Sequence, residues 1–320
     1  MKGLMNLGST CFINSILQII FNLKHFKESF AKEEAPSDFK TLYHHYHDSN
    51  EIMVVPDILK RFIISTNLFS GQQGDQHEFF SGLMNIIHEA HHRKCPLNEL
   101  KIFTYYEPDP LVQKAITAFH LNGLTIDQDM NLNGASYGYV SPIVDVFTGQ
   151  LAAGTICVCG AITNNFEIFR TIELSLNGKI NTLEACLDEF TNLEHIEHFS
   201  CNACGKYQNA VRRFTFWHLP PVISFTLKRY NHRGQKNNSV LNTPDKLNMT
   251  PYLTRSTSGK KTEYELVAVA HHAGHVNFGH CFSTIKKPDE SWRVLNDEQI
   301  NILPKRVDSP TDYMYFYSRL

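Results

Sequence analysis

The sequence predicts an α+β fold, with helices in the first third and a mostly antiparallel β part after Ser141. Two observations carry this reading. Apolar residues recur at helical spacing in three stretches before residue 95. Short β-branched or aromatic runs follow Ser141, separated by turn-rich segments such as 231–238 and 254–261. A cleft between the two parts is a natural place for a site.

The elements follow in chain order. Phe12 to Asn22 places Asn14, Gln18 and Asn22 at i, i+4 spacing, with apolar residues over most of the remaining circumference. That pattern describes a largely buried helix with one polar stripe. Val55 to Ile64 and Asp75 to His91 also read as helices, the second with Phe79, Leu83, Ile86 and Ile87 on one face. Cys95 to Tyr139 mixes short apolar runs with Asn, Gly and Asp and yields no assignment. The predicted strands are Val222 to Tyr230, Tyr264 to His271, Cys281 to Ile285, Trp292 to Asn296 and Tyr313 to Tyr317.

Composition bounds the function. A chain of 320 residues with 42 % hydrophobic content suits one large domain or two small ones. A formal net charge of -2 gives no electrostatic reason to expect direct nucleic-acid binding. Apolar runs are too short for a membrane span, and the first residues lack a secretory signal, so a cytoplasmic or nuclear protein is expected. In such a reducing compartment the 8 cysteines are expected as thiols, metal ligands or a nucleophile.

Cys11 follows Gly8-Ser9-Thr10 and opens the buried helix, with Ser9 or Thr10 as its N-cap. A thiol there meets unpaired N–H groups and the positive end of the helix dipole, which favour the reactive thiolate. Asn6, five residues upstream, brings a side-chain NH₂ that can donate to an oxyanion. A lone cysteine is more often a small buried hydrophobe, so the reading depends on partners.

The partners lie near the C-terminus. A hairpin turning near Pro288 places His280 opposite Asn296, and an Asn or Asp beside a His is how a Cys–His protease orients its imidazole. A slip of one residue would put Asp297 there instead. His44, His45, His47, His91 and His92 are read as structural.

Taken together these residues resemble the ubiquitin-specific protease family. Gly3-Leu4-Met5-Asn6-Leu7-Gly8-Ser9-Thr10-Cys11-Phe12 is similar to its cysteine box, and Gly279-His280, Trp292 and Asn296-Asp297 to its histidine box. Gly71 to Phe79 resembles its Gln-Gln-Asp-x-x-Glu-Phe motif, Leu227-Lys228-Arg229-Tyr230 its Leu-Lys-Arg-Phe strand, and Phe147-Thr148-Gly149-Gln150 the strand entering its fingers. The resemblance implies a papain-like cysteine protease with a hand-like architecture of thumb, palm and fingers. On this chain it implies a helical thumb over 1–95, fingers over 141–215 and a palm over 216–320. It implies hydrolysis after the C-terminal Gly-Gly of ubiquitin, with Cys11 attacking, His280 as base, Asn296 orienting it, and Asn6, supported by Asp297, stabilising the oxyanion. No cofactor is needed for that chemistry. Two departures stand out: Cys281 replaces the usual Tyr after the catalytic His, and Gly74 replaces the second Gln of the Gln-Gln-Asp motif.

Cys201-Asn202-Ala203-Cys204-Gly205 and Cys157-Val158-Cys159-Gly160 form two Cys pairs about forty residues apart, which suggests a Cys₄ zinc ribbon with a structural Zn²⁺. The first pair is C-x-C, which narrows its bite, and the competing reading is a degenerate ribbon without metal. Cys186 is read as core, and Cys95 and Cys281 have no evident partner. The cysteine box is most similar to the histone-deubiquitinating subtype of the SAGA coactivator complex. That likeness implies ubiquitin and ubiquitinated proteins, histones among them, as substrates, and coactivator subunits as activators. The further zinc ligands of that subtype are missing, so a minimal version is expected. Two other classes stay open: an inactive ubiquitin-binding scaffold, and a protease for another ubiquitin-like modifier.

Overall fold

The computed structural model describes residues 1–96, 111, 114, 137–176, 181–254, 261–275 and 278–320. Most of the unassigned stretch 95–139 therefore lies outside the described residues. Its flanks pair as a short antiparallel ribbon, β1 (Arg93–Pro96) with β2 (Tyr137–Val140).

Five helices make up the first part: α1 (Cys11–Asn22), α2 (Lys24–Phe30), α3 (Asp38–Asp48), α4 (Pro56–Thr66) and α5 (Gln76–His91). Helix α1 is buried along its length apart from Asn22, as its all-round apolar sequence requires. Phe21 of α1, with Phe26 and Phe30 of α2, meets Phe39 or Tyr43 of α3 edge-to-face or tilted, a geometry that suits aromatic quadrupoles. Asp75 caps α5 by accepting from the His77 and Glu78 N–H groups at 2.7 and 3.0 Å.

The segment after Ser141 does not begin with a strand. Pro142–Phe147 forms a short helix, α6, with Pro in its first turn and the Ser141 hydroxyl accepting from Val144 N–H. Its Ile143, Val146 and Phe147 join the same core as α1 and α2. Six residues are too few for helical periodicity to stand out against a β-branched composition, and the Ser-Pro cap was the available signal.

Two sheets follow. A four-stranded antiparallel sheet runs β4 (Ile162–Phe169), β3 (Gly149–Cys157), β7 (Lys206–His218), β6 (Glu194–Cys201). A larger sheet runs β13 (Gln299–Leu303), β12 (Trp292–Asn296), β11 (Phe278–Lys286), β10 (Glu263–His275), β14 (Asp312–Arg319), β8 (Val222–Lys228), β5 (Ile172–Ser175), with β9 (Lys246–Asn248) on the first half of β10. All its pairings are antiparallel except β5 on β8. Within residues 141–215, α6 lies in the helical core and β5 joins the larger sheet by pairing with β8.

The middle of the larger sheet is buried on both faces, and β8 is buried without a break from Val222 to Leu227. Ala268, Ala270, Met314 and Phe316 meet α1 on one face. Val269, Tyr315, Tyr317 and Phe225 meet helix α7 (Leu183–Phe190) on the other. Cys186 sits in this second core, as expected; its thiol donates to Ser175 C=O, and burial pushes its pKa up to about 11. Among the described residues no helix is long and apolar enough to cross a membrane.

Candidate active site

The loop before α1 is built around Asn6. Its Oδ1 accepts from Gly8 N–H, Thr10 N–H and the Thr10 hydroxyl at 3.1, 3.2 and 3.3 Å. Gly8 and Ser9 take φ of +94° and +55°, a left-handed pair that glycine makes possible. Thr10 holds the N-cap position but makes no side-chain cap. Its hydroxyl accepts from Leu7 N–H instead. The N–H groups of the first turn thus face the groove without a capping oxygen in competition, which suits them to an anion.

Asp297 anchors this loop. Its carboxylate accepts from Asn6 Nδ2 at 3.0 Å and from Asn14 Nδ2 at 2.7 Å. Its main-chain oxygen accepts from Leu4 N–H and Gln18 Nε2, each at 3.0 Å. Asn14 and Gln18 of the polar stripe of α1 therefore dock on one residue that follows β12. The sequence marked Asn14 and Gln18 as a stripe, but nothing in the pattern named their partner. Gly3 is needed for the same approach: a Cβ there would come within 2.7 Å of Glu298 Cα.

His280 Nε2 lies 2.5 Å from Asn296 Oδ1. An amide oxygen only accepts, so Nε2 carries the proton and the Nδ1 lone pair is left to act as base. The ladder register differs from the sequence expectation. Ser283 pairs with Leu295 and Lys286 with Trp292, so the hairpin is centred one residue later than Pro288. The shift moves the pairing by two residues, which preserves the face, and His280 reaches Asn296 diagonally beyond the last ladder pair. Glu290 at φ +66° is the turn residue that sets this register. Gly279 has no room for a side chain, because His272 and the Ala273 carbonyl press against it.

Asp297 does not stand in for Asn296. At φ +52° the chain turns after Asn296, and the Asp297 carboxylate is committed to α1.

Cys11 is buried in the groove between α1 and β11, and its pKa is lowered from 9.0 to about 6. The first cause is a hydrogen bond from the Cys281 side chain. Burial opposes it, and the Cys281 backbone N–H and the His280 charge add to the lowering. Cys281, which the sequence left without a partner, thus has one. A thiol with a pKa near 6 is mostly thiolate at neutral pH. We expect Cys11 alkylation by iodoacetamide to rise with pH through a midpoint near 6 and level off by about pH 8. Rates read by mass spectrometry check this; a rate still climbing at pH 9 would refute the assignment.

The Gln72-to-Phe79 segment joins the parts around the site. Gln73 Oε1 accepts from Gly279 N–H at 3.0 Å, directly before His280. Asp75 Oδ2 accepts from Tyr313 OH at 2.7 Å, and Gln76 Nε2 donates to Ser15 Oγ at 2.7 Å. Gly74 is explained by Phe12: a Cβ would approach its ring to 2.7 Å. The Leu227-to-Tyr230 motif supports the same groove from behind. Buried Arg229 donates to Asp312, Asn237 and Ser239 carbonyls, and Tyr230 OH lies 2.5 Å from His272 Nδ1.

The second cluster sits at one end of the four-stranded sheet. Cys157, Cys159, Cys201 and Cys204 bring their sulfurs within 4.8 Å of one another, and Cys159 Sγ lies 3.8 Å from Cys201 Sγ. Tetrahedral Zn–S bonds of about 2.3 Å imply sulfur separations of about 3.8 Å, so this donor set fits zinc. The narrow C-x-C pair is accommodated by a turn in which Gly160, at φ +86°, returns its N–H to the Cys157 carbonyl.

A helix-borne thiol set against an imidazole that an amide orients attacks acyl carbons through sulfur, and that chemistry places the molecule among the cysteine proteases. The family model described as ubiquitin carboxyl-terminal hydrolase matches residues 2–317, and the chain belongs to that family of deubiquitinating enzymes. Among curated proteins it is similar to the ubiquitin carboxyl-terminal hydrolase nonstop of Drosophila melanogaster, 26 % identical over 353 residues, covering 100 % of this chain and 67 % of the relative. Human ubiquitin carboxyl-terminal hydrolase 22 is 24 % identical over 378 residues, with coverage of 100 % and 66 %. The chain thus spans about two thirds of the length of these relatives. Among solved structures, the SAGA DUB module Ubp8/Sgf11/Sus1/Sgf73 bound to monoubiquitin matches with a TM-score of 0.74 at 23 % identity, covering 100 % of this chain and 69 % of that one. The same module bound to ubiquitin aldehyde matches with a TM-score of 0.72 at 22 % identity, with coverage of 100 % and 70 %. At these identities the structures speak for the fold.

Proposed function

We propose that this chain removes ubiquitin from proteins by hydrolysing the bond after its C-terminal Gly, with Cys11 as nucleophile, His280 as base, Asn296 as orienter and Asn6 as oxyanion donor. The Cys11 thiolate attacks the Gly carbonyl carbon. His280, holding at Nδ1 the proton it took from the Cys11 thiol, passes that proton to the leaving amine as the C–N bond breaks, and a thioester remains. Water, deprotonated by His280, then attacks the thioester and releases the ubiquitin carboxylate. Asn6 gives one N–H to Asp297 and keeps the other for the oxyanion. The observation that carries the reading is the His280–Asn296 hydrogen bond on the strand packed against Cys11.

Ubiquitin carrying an electrophilic C-terminus should label Cys11 and no other cysteine. The same probe built on other ubiquitin-like modifiers should label it far more slowly. Labelling of Cys11 by those modifiers alone would replace ubiquitin in the reading, and labelling of none would leave the scaffold class. Two of the solved neighbours are ubiquitin-bound SAGA DUB modules with Sgf11, Sus1 and Sgf73, which supports activation by comparable subunits, while a histone-linked substrate rests on the sequence resemblance. Deubiquitination of nucleosomes, with and without such subunits, tests both.

We further propose that Cys157, Cys159, Cys201 and Cys204 hold a structural Zn²⁺, which would tie the two hairpin ends together and take no part in bond cleavage. The purified chain is expected to carry about one zinc per molecule by elemental analysis, and a chelator is expected to lower its Tm by several degrees. Zinc-free protein with an unchanged Tm would favour the degenerate ribbon.

A further inference from the structure

Cys281 follows His280 directly on β11 and is 2 % exposed. It shares one buried cluster with Cys11, and α1 lies against β11. Its thiol and its backbone N–H are the two groups that most lower the Cys11 pKa. Two buried thiols in one cluster on packed elements, one of them an activated nucleophile, can form a redox pair.

We propose that Cys281 is a resolving thiol: hydrogen peroxide oxidises Cys11 to a sulfenic acid, and Cys281 then closes a reversible Cys11–Cys281 disulfide that switches hydrolysis off and protects the nucleophile from over-oxidation. In the first step the Cys11 thiolate attacks a peroxide oxygen, the O–O bond breaks and the departing hydroxide is protonated to water. In the second, the Cys281 sulfur attacks the Cys11 sulfur, the S–O bond breaks and the hydroxyl leaves as water with the Cys281 proton. The two sulfurs together lose two electrons, and one peroxide becomes two waters. A dithiol reductant reverses the state by two thiol–disulfide exchanges.

The electrostatics put the steps in order. While Cys11 is a thiolate, its hydrogen bond, burial and its charge hold the Cys281 thiol well above the ordinary range. Cys281 then serves as a donor and does not compete as a nucleophile. Oxidation to a neutral sulfenic acid removes that charge, and Cys281 becomes easier to ionise only once there is a sulfenic acid to resolve. Burial selects the oxidant, since both sulfurs are nearly covered and a small peroxide fits where a bulky disulfide such as oxidised glutathione does not. Among the other described cysteines, Cys186 is occupied by the Ser175 carbonyl, and Cys157, Cys159, Cys201 and Cys204 form their own cluster.

The proposal needs a nucleophilic Cys11 but not ubiquitin as its substrate, so its test reads sulfur chemistry. The full chain is treated with graded hydrogen peroxide, alkylated and mapped by mass spectrometry, with and without subsequent dithiothreitol. Wild type is expected to yield a linked Cys11–Cys281 peptide and to regain its starting Cys11 alkylation rate after dithiothreitol. Cys281→Ala and Cys281→Ser, each confirmed folded by thermal melting and scored against its own starting rate, are expected to accumulate Cys11 sulfinic and sulfonic acids and to stay blocked. Absence of the linked peptide in wild type while Cys11 over-oxidises would overturn the proposal, as would full recovery in both variants. Failure of the reduced chain to cleave ubiquitin would instead bear on the proposed function.

Discussion

Cys11→Ala is expected to lower kcat for a ubiquitin C-terminal substrate by about 10⁴-fold or more, with ubiquitin affinity retained. The scale follows from removing a nucleophile whose partners act only through it. The sulfur is buried at the start of α1 and touches Cys281, so its loss leaves a small void and a modest stability change. Steady-state kinetics and titration calorimetry on the same preparation separate the two effects. Cys11→Ser should behave alike, because a hydroxyl at this position lacks a base strong enough to ionise it. Full activity in either variant would end the assignment of the nucleophile.

Asp297→Ala is expected to lower kcat by about 10²–10³-fold and the Tm by several degrees together, the first through Asn6 and the second through stranded amides. One carboxylate satisfies Asn6 and Asn14 at once, and the region is buried enough that water cannot readily replace it. Asn6→Ala separates the contributions: kcat should fall by a similar factor with a smaller loss of Tm, since Asn14 keeps its partner. Kinetics and thermal melting on both variants decide. An Asp297→Ala protein with wild-type kcat would remove the oxyanion role of Asn6. Because Asp297 is committed to α1, it offers no substitute acceptor for His280. Loss of Asn296 should therefore show in full as a misoriented imidazole.

Much of the site was legible in the chain. Cys11 at a helix start, the Gly279-His280 pair and the Asn296-Asp297 pair stand out because each is tied to a local backbone event that leaves a mark in residue type. The Cys pairs stand out for the same reason, each followed by the glycine its turn requires. The hairpin register was misjudged by two residues, since turn length depends on Glu290 adopting a left-handed conformation that its side chain does not advertise. Helix α6 was hidden because its composition suits strand and helix alike, and only burial against α1 and α2 decides between them.

By itself the sequence determined the α+β class, the longest elements and the candidate groups of the site, because helical periodicity, turn residues and reactive side chains are local properties. The tertiary structure alone decided which groups meet. That Asn14 and Gln18 hold Asp297, that Gln73 binds beside His280, and that Cys281 lies beside Cys11 are relations between residues about 200 or more positions apart. Such contacts follow from two faces of one sheet being buried against different helices, and burial of that kind is a property of the whole chain rather than of any window within it.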